Sequence, residues 1–152
     1  MLDLPASRRL RMGRYTEPHR VYLLTTNTID REPIFRDVRL GRLVVNQFRR
    51  AQNFGWANSL AWVVMPDHFH WLIELENCSL CNLMRRTKSL IAREVNLASN
   101  RIGPLWQQGY HNRALRREED LVKIARYVVA NPLRAGLVER LGDYPLWDAI
   151  WL

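Results

Sequence analysis

Residues 60–75 read Leu60-Ala-Trp-Val-Val-Met-Pro-Asp-His-Phe-His-Trp-Leu-Ile-Glu-Leu75. Aliphatic, β-branched and aromatic residues fill 60–65 and return within 68–75, a composition typical of β-strands. Between them, Pro66 and Asp67 form a turn signal with room only for a tight connection. Strands joined this closely pair antiparallel. The stretch therefore predicts two neighbouring antiparallel strands.

The segments on either side of this pair complete an α+β pattern. Apolar residues recur at helical spacing before and after it, with arginines on the other faces of the predicted helices. The predicted elements are a strand at 21–29, a helix at 37–54, the two strands above, a helix at 79–97, an extended segment at 105–115 and a helix from about 118 to 130. This order predicts an α+β fold with helices packed on an antiparallel sheet of the ferredoxin-like type.

The chain of 152 residues, 47% of them hydrophobic, fits one domain with its own core. Residues 1–19 are interpreted as a basic N-terminal arm, or equally as a solvated tail, and residues 20–152 as one domain that includes the C-terminal tail. No stretch has the character of a membrane span or of a signal peptide. We therefore expect a cytoplasmic protein without a membrane partner. The arm carries Arg8, Arg9, Arg11 and Arg14.

The charge of the chain favours a polyanionic partner. Lysine and arginine together number 23 against 15 acidic residues, a formal net charge of +8. Such an excess favours binding to DNA or RNA through phosphate contacts. Only Lys88 and Lys123 are lysines, and the guanidinium of arginine matches phosphate oxygens bidentately. An arginine-biased codon usage would produce the same ratio.

The two cysteines, Cys78 and Cys81, form a single C-x-x-C pair. Without a second pair they offer half of a zinc site, and no thioredoxin-like βαβ pattern surrounds them. We interpret them as buried or incidental thiols.

His68 and His70 lie two residues apart in the third predicted strand. Residues at this spacing project from the same face of a strand, so both imidazoles can reach one metal ion. Phe69 and Trp71 would then point to the opposite face. A lone H-x-H is unspecific, because two histidines that merely pack on a strand are common.

Tyr127 and Asn131 lie four residues apart near the end of the last predicted helix, and hence on one helical face. An amide oxygen can serve as a third metal ligand, and a phenol beside it could be aimed at a phosphate. Each residue also has an ordinary interpretation. Tyr127 could be a half-buried aromatic, and Asn131 before Pro132 could have been selected for the turn.

Three motifs along the chain are Val64-Met-Pro-Asp-His-Phe-His70, Gly103-Pro-Leu-Trp-Gln-Gln-Gly-Tyr110 and Arg126-Tyr-Val-Val-Ala-Asn-Pro-Leu-Arg-Ala-Gly-Leu-Val138. They resemble motifs of the REP-associated tyrosine transposases, which are single-tyrosine HUH proteins. Shorter matches at 31–36 and 143–147 extend the resemblance over almost the whole chain. In the first strand the chain departs from the usual His-Val-Thr-x-Arg run of that family, since it has Leu-Leu-Thr-Thr-Asn at 23–27.

The resemblance implies a catalytic domain of the HUH single-tyrosine transposase fold. In it, His68, His70 and Asn131 would bind a divalent ion, Mg²⁺ or Mn²⁺, with imidazole ligands suiting Mn²⁺ better. Tyr127 would be the nucleophile that cuts DNA, leaving a 5′-phosphotyrosine and a free 3′-hydroxyl. Asp67 could orient a ligand histidine, although a turn-forming role is the simpler interpretation.

The implied partner is single-stranded or hairpin DNA formed by short palindromic repeats, bound by a monomer or a homodimer. Basic residues of the arm and of the two amphipathic helices, among them Arg85 and Arg86, would contact phosphates. Trp56 or Trp106 could stack on unpaired bases, unless both tryptophans belong to the core. Two other functions fit the same residues. One is a non-catalytic binder of repeat hairpins, and the other is a metal-dependent RNA nuclease that does not need Tyr127.

Overall fold

The computed structural model of the chain describes residues 19–116 and 120–151. Its central feature is the predicted pair of strands, β2 (Ala57–Met65) and β3 (His68–Leu75), which are antiparallel. Met65 lies opposite His68 across the tight turn, and Ala57 lies opposite Leu75 at the far end. The prediction of this pair is confirmed, and β2 begins three residues earlier than the sequence pattern indicated.

Three further strands complete the sheet in the described part of the chain. They are β1 (Val21–Asn27), β4 (His111–Ala114) and β5 (Trp147–Ala149). The order is β4-β1-β3-β2-β5, with every neighbouring pair antiparallel. The first four strands, with one helix after β1 and one after β3, have the ferredoxin-like arrangement. The predicted α+β fold class is confirmed.

Two helices cover one face of the sheet. They are α1 (Val38–Asn53) and α2 (Leu80–Ser99), and the side chains of Asp37 and Ser79 cap their first turns by accepting backbone N–H groups. The aromatic residues of β3 point into this layer, as their alternation predicted. The Phe48 ring stacks on Trp71 with 4.3 Å between ring centroids. This face holds the larger hydrophobic core.

The opposite face carries α3 (Leu121–Val129), whose first turn is capped by Asp120, followed directly by the short α4 (Asn131–Arg134). Ala125 and Val129 of α3 pack against Ala61 and Leu72 of the sheet. The sequence pattern placed the start of this helix near residue 118, whereas the structure begins it at Leu121. The helix therefore forms a second layer over the same strands.

Two segments differ from the sequence-based predictions. Within the segment predicted as extended at 105–115, only His111–Ala114 is a strand. Trp106 forms an isolated antiparallel bridge with Thr28, and Leu105 and Trp106 are both buried in the core. In the C-terminal tail, β5 pairs with β2 at 61–63, a strand that the sequence pattern did not predict. Cys78 and Cys81 are free thiols. No helix among the described residues is both long and apolar enough to cross a membrane.

Candidate functional site

His68 and His70 project from the face of β3 that α3 covers in part. Their ring centroids lie 5.0 Å apart at an interplanar angle of 81°. β3 is the middle strand of the sheet, so paired strands on both sides fix the backbone of both residues. The sequence-based prediction that both imidazoles share one face is confirmed.

Each histidine has its Nδ1 atom engaged by a neighbour. The Nδ1 of His68 lies 2.7 Å from Oδ1 of Asp67, and the Nδ1 of His70 lies 2.7 Å from the hydroxyl of Thr25. Burial opposes ionisation of Asp67, but hydrogen bonds from His68 and Arg31 outweigh it and hold the carboxyl pKa below its usual value. A carboxylate only accepts hydrogen bonds, so the Nδ1 of His68 donates. That tautomer leaves the Nε2 lone pair available to a ligand.

Burial lowers the pKa of His70 to about 4, and the nearby positive charge of Arg134 contributes to this shift. His70 is therefore neutral at physiological pH, and one of its two ring nitrogens carries a lone pair. Neutral imidazole is the form that binds metal ions.

The end of α3 is docked beside the two histidines. Val128 is 1% exposed and packs against Val63 and Met65 of β2. These two residues lie directly opposite His70 and His68 in the β2–β3 register. Directly opposed residues of an antiparallel pair project from the same face. The last turn of α3 therefore sits next to the imidazoles.

Tyr127 and Asn131 lie at this helix end. The Tyr127 side chain is 63% exposed, so its hydroxyl is accessible to a ligand. The amide nitrogen of Asn131 donates to the carbonyl of Val128 at 2.7 Å, which leaves the amide oxygen free to accept or to ligate.

Arg134 connects Tyr127 with the histidine pair. Its guanidinium carbon lies 3.8 Å from the centroid of the Tyr127 ring, and the guanidinium donates to the Tyr127 carbonyl at 2.8 Å. The same positive charge contributes to the low pKa of His70. A cation between the phenol and the imidazoles makes this corner of the sheet attractive to an anion.

The donor set of the pair fits a divalent metal. An ion bonded to an imidazole nitrogen at about 2.1 Å lies roughly 3 Å from the ring centre, so rings that share an ion have centres roughly 4.5–5.5 Å apart. The observed 5.0 Å falls in this range. In metal sites, the second ring nitrogen of a histidine ligand is generally held by a carboxylate or another polar group. His68 and His70 each have one ring nitrogen held in this way.

Among the described residues, a second group of side chains that could hold a metal ion lies at the other end of β3. One ligand atom from each of His19, Glu74 and Glu76 comes within 4.8 Å of the other two. The side-chain amide of Asn58 also donates to Glu76 at 2.6 Å. Glu74 is four residues along the strand from His70, or about 13 Å. This group is therefore separate from the histidine pair.

The basic and aromatic candidates do not gather at the histidine pair. Arg86 lies over Trp56, with its guanidinium carbon 5.0 Å from the ring, and Arg85 donates to Asn82. Trp56, Arg85 and Arg86 therefore lie near the end of β3 that is far from His68. Trp106 is 8% exposed and packs against Phe35 and Phe69, which makes it a core residue. The four arginines of the predicted arm, at 8, 9, 11 and 14, fall outside the described residues.

A family comparison matches most of the chain. The family model described as "Transposase IS200 like" matches residues 20–131. The chain belongs to the IS200-like transposase family. The motif-based assignment of the sequence to this group of transposases is confirmed.

The IS200-like chain is also similar to one curated protein in sequence and to one solved structure in fold. It is 26% identical over 87 residues to the REP-associated tyrosine transposase of Escherichia coli (strain K12), a match that covers 56% of this chain and 50% of that relative. The matched segment thus spans about half of the length of that relative. A solved REP-associated tyrosine transposase bound to a REP hairpin has the same fold, with a TM-score of 0.72 and 20% identity over 97% of this chain and 82% of that chain.

Sequence reasoning missed three residues that shape the site of this transposase-family chain. Thr25 and Arg31 hold His70 and Asp67, and Arg134 lies against Tyr127. The first two come from segments 36 or more residues away in sequence, so only the strand register and the loop path reveal them. Arg134 lies within the motif at 126–138. Its position one helical turn beyond Asn131 could have indicated that it belongs to the site.

Proposed function

We propose that this protein is a metal-dependent DNA transposase and endonuclease that cuts and rejoins single-stranded or hairpin DNA of the REP type. The observation that carries the proposal is the docking of the last turn of α3 beside the histidine pair. Val128 brings the tyrosine-bearing helix onto the strand pair that carries the two imidazoles. Family membership and the net charge of +8 support a DNA substrate.

In the proposed reaction Tyr127 is the nucleophile. Its phenolic oxygen forms a bond to the phosphorus of the scissile phosphodiester, and the bond from phosphorus to the 3′ oxygen breaks. The phenol gives its proton to solvent, and the departing oxygen takes one up to become a 3′-hydroxyl. A 5′-phosphotyrosine remains. Attack by another 3′-hydroxyl reverses these changes, so strands rejoin without outside energy.

His68, His70 and Asn131 would hold the divalent ion, Mg²⁺ or Mn²⁺. Such an ion supplies charge neutralisation at the phosphate oxygens. Asp67 and Thr25 hold the two rings through their Nδ1 atoms, so the Nε2 atom of each ring would be the one that binds the ion. Arg134 lies over the Tyr127 ring, with its guanidinium carbon 3.8 Å from the ring centroid, and would hold the ring in place.

Other parts of the chain would position the DNA. We assign phosphate contacts to Arg85 and Arg86 and to the arginines of the arm at residues 1–19, with residues 20–152 acting as one catalytic unit. Arg85 and Arg86 lie at the far end of the sheet from His68. A bound hairpin that contacts these arginines would therefore also cover surface beyond the histidine pair.

Incubation with end-labelled hairpins tests the proposal. Hairpins from the DNA that flanks the gene, labelled at the 5′ or the 3′ end, are mixed with the protein with and without Mn²⁺. We expect metal-dependent cleavage and transfer of only the 3′-end label onto protein, because the 5′-phosphate of the downstream fragment is captured. Binding without cleavage under Mn²⁺ or Mg²⁺ would indicate a non-catalytic hairpin binder. Preference for RNA hairpins would indicate a nuclease.

The Asp67→Asn substitution is expected to weaken Mn²⁺ binding by about 10–100-fold, because the neutral amide orients His68 less firmly and raises its basicity less. Isothermal titration with Mn²⁺ measures the change. Asp143→Asn is the matched control, since Asp143 is an exposed carboxylate paired with Arg140 at 3.6 Å. Equal affinities for both variants and the wild type would contradict the orienting role of Asp67.

A further inference from the structure

A polar cavity of about 230 Å³ lies beside the histidine pair, on the β4 side of the sheet. Thr25 of β1 is opposed on one side by His70 and on the other by His111, and Asn27 is opposed by His68. Opposed residues share a face, so His111 projects from the same face as the pair, two strands or about 10 Å from His70. The cavity is lined by Thr25, Asn27, His111 and the loop at 107–110.

The loop that forms one wall of the cavity is held from three sides. The backbone N–H of Gln107 donates to the carbonyl of Asn27 at 2.9 Å, and the ammonium of Lys88 donates to the carbonyl of Gly109 at 2.6 Å. Gly109 has φ of +81°, a conformation that glycine adopts without strain. Trp106, just before the loop, is anchored in the core and donates to the carbonyl of Lys88. The wall is therefore preorganised.

The lining chemistry matches a nucleobase. Asn27, Gln107 and Gln108 each offer an amide with two donors and one acceptor oxygen, the groups that read the edges of bases. His111 is exposed and offers a ring for stacking or a hydrogen bond. None of the described residues that line the cavity is acidic, so nothing there repels a nucleotide.

We infer that this cavity binds one unpaired base of the DNA next to the scissile phosphate and thereby selects the cleavage site. The inference rests on the proposed function and adds a specificity pocket to it. Gln107 and Gln108 read the edge of the base, and His111 packs against it. A strand that enters the cavity continues across Thr25 toward the imidazoles, which places the neighbouring phosphate within reach of the tyrosine helix.

The test uses a library of hairpins with randomised unpaired flanks and the full-length protein. Cleaved members are compared for the wild type and the Gln107→Leu/Gln108→Leu variant. We expect the wild type to prefer one base at one flanking position, and the variant to lose about tenfold of that discrimination, since the amides that would contact the edge of the base are removed. Asn53→Leu, an exposed amide at the end of α1, is the matched control and keeps the wild-type profile.

A second measurement keeps the test independent of how the variant folds. An abasic nucleotide at the preferred position is expected to slow cleavage by the wild type by about tenfold, whereas abasic sites elsewhere in the flank have little effect. An unchanged base profile in the variant, or no base preference in the wild type, would overturn the inference while cleavage itself upholds the proposed function. If the wild type cleaves no library member, the proposed function fails. The base preference is then read from the library members that each protein binds, and an equal preference in the wild type and the variant overturns the inference.

Discussion

Replacing Tyr127 with phenylalanine is expected to eliminate the covalent protein–DNA adduct and to lower strand cleavage by at least about 10⁴-fold, because the nucleophilic oxygen is removed. The Tyr127 ring is 63% exposed and lies under Arg134, so the phenylalanine ring can occupy the same place and hairpin binding should survive. Denaturing electrophoresis of 3′-labelled hairpin after incubation with Mn²⁺ measures the adduct.

Tyr144→Phe is the matched control for this substitution. The Tyr144 hydroxyl donates to the carbonyl of Val64, so its loss costs stability on the order of 1 kcal/mol but leaves the proposed nucleophile in place. We expect adduct formation by this variant at the wild-type level. An adduct that persists in the Tyr127→Phe variant would disprove the assignment of the nucleophile.

The His68→Ala/His70→Ala variant is expected to lose detectable Mn²⁺ binding at the site and about 10³-fold in cleavage rate, since charge neutralisation by a bound metal contributes several kcal/mol to phosphoryl transfer. Titration followed by electron paramagnetic resonance of free Mn²⁺ reports the binding. The variant should still bind hairpins, because phosphate contacts supply most of that affinity.

His19→Ala serves as the comparison, since His19 belongs to the second group of metal-binding side chains with Glu74 and Glu76. We expect this variant to keep the metal-dependent cleavage. Loss of cleavage with His19→Ala and its retention in the double histidine variant would move the catalytic metal to the far end of β3.

The sequence was sufficient to predict the central pair of strands and the ferredoxin-like order of elements. The period-2 pattern around Phe69 and Trp71 also predicted which face the two histidines use, because alternation along a strand is fixed by backbone geometry. These predictions depend on neighbours in sequence. The local sequence pattern is therefore enough to predict the central elements of the fold and to place His68 and His70 on the same face of their strand.

Contacts between segments that are far apart in the sequence could not be predicted from the sequence pattern. The pairing of Thr25 with His70 depends on the register of β1 against β3, and β5 has only three residues, too few for an alternation to be recognised. Trp106 forms only an isolated antiparallel bridge, with Thr28, and its ring packs against Phe35 and Phe69, a contact between segments that the sequence pattern does not show. The cavity near His111 exists only once β4 is in place.

The two histidines sit in the middle strand of the sheet, whereas the tyrosine is carried by a peripheral helix that is docked through a few small side chains. The geometry of the two imidazoles and the placement of Tyr127 thus depend on different sets of contacts. In the proposed reaction, loosening the helix would slow the chemistry and would weaken metal binding only through Asn131, whereas weakening the central strand would displace both histidines. Substitution in one surface helix would therefore change the rate of the proposed strand transfer while the pair of imidazoles stays in place.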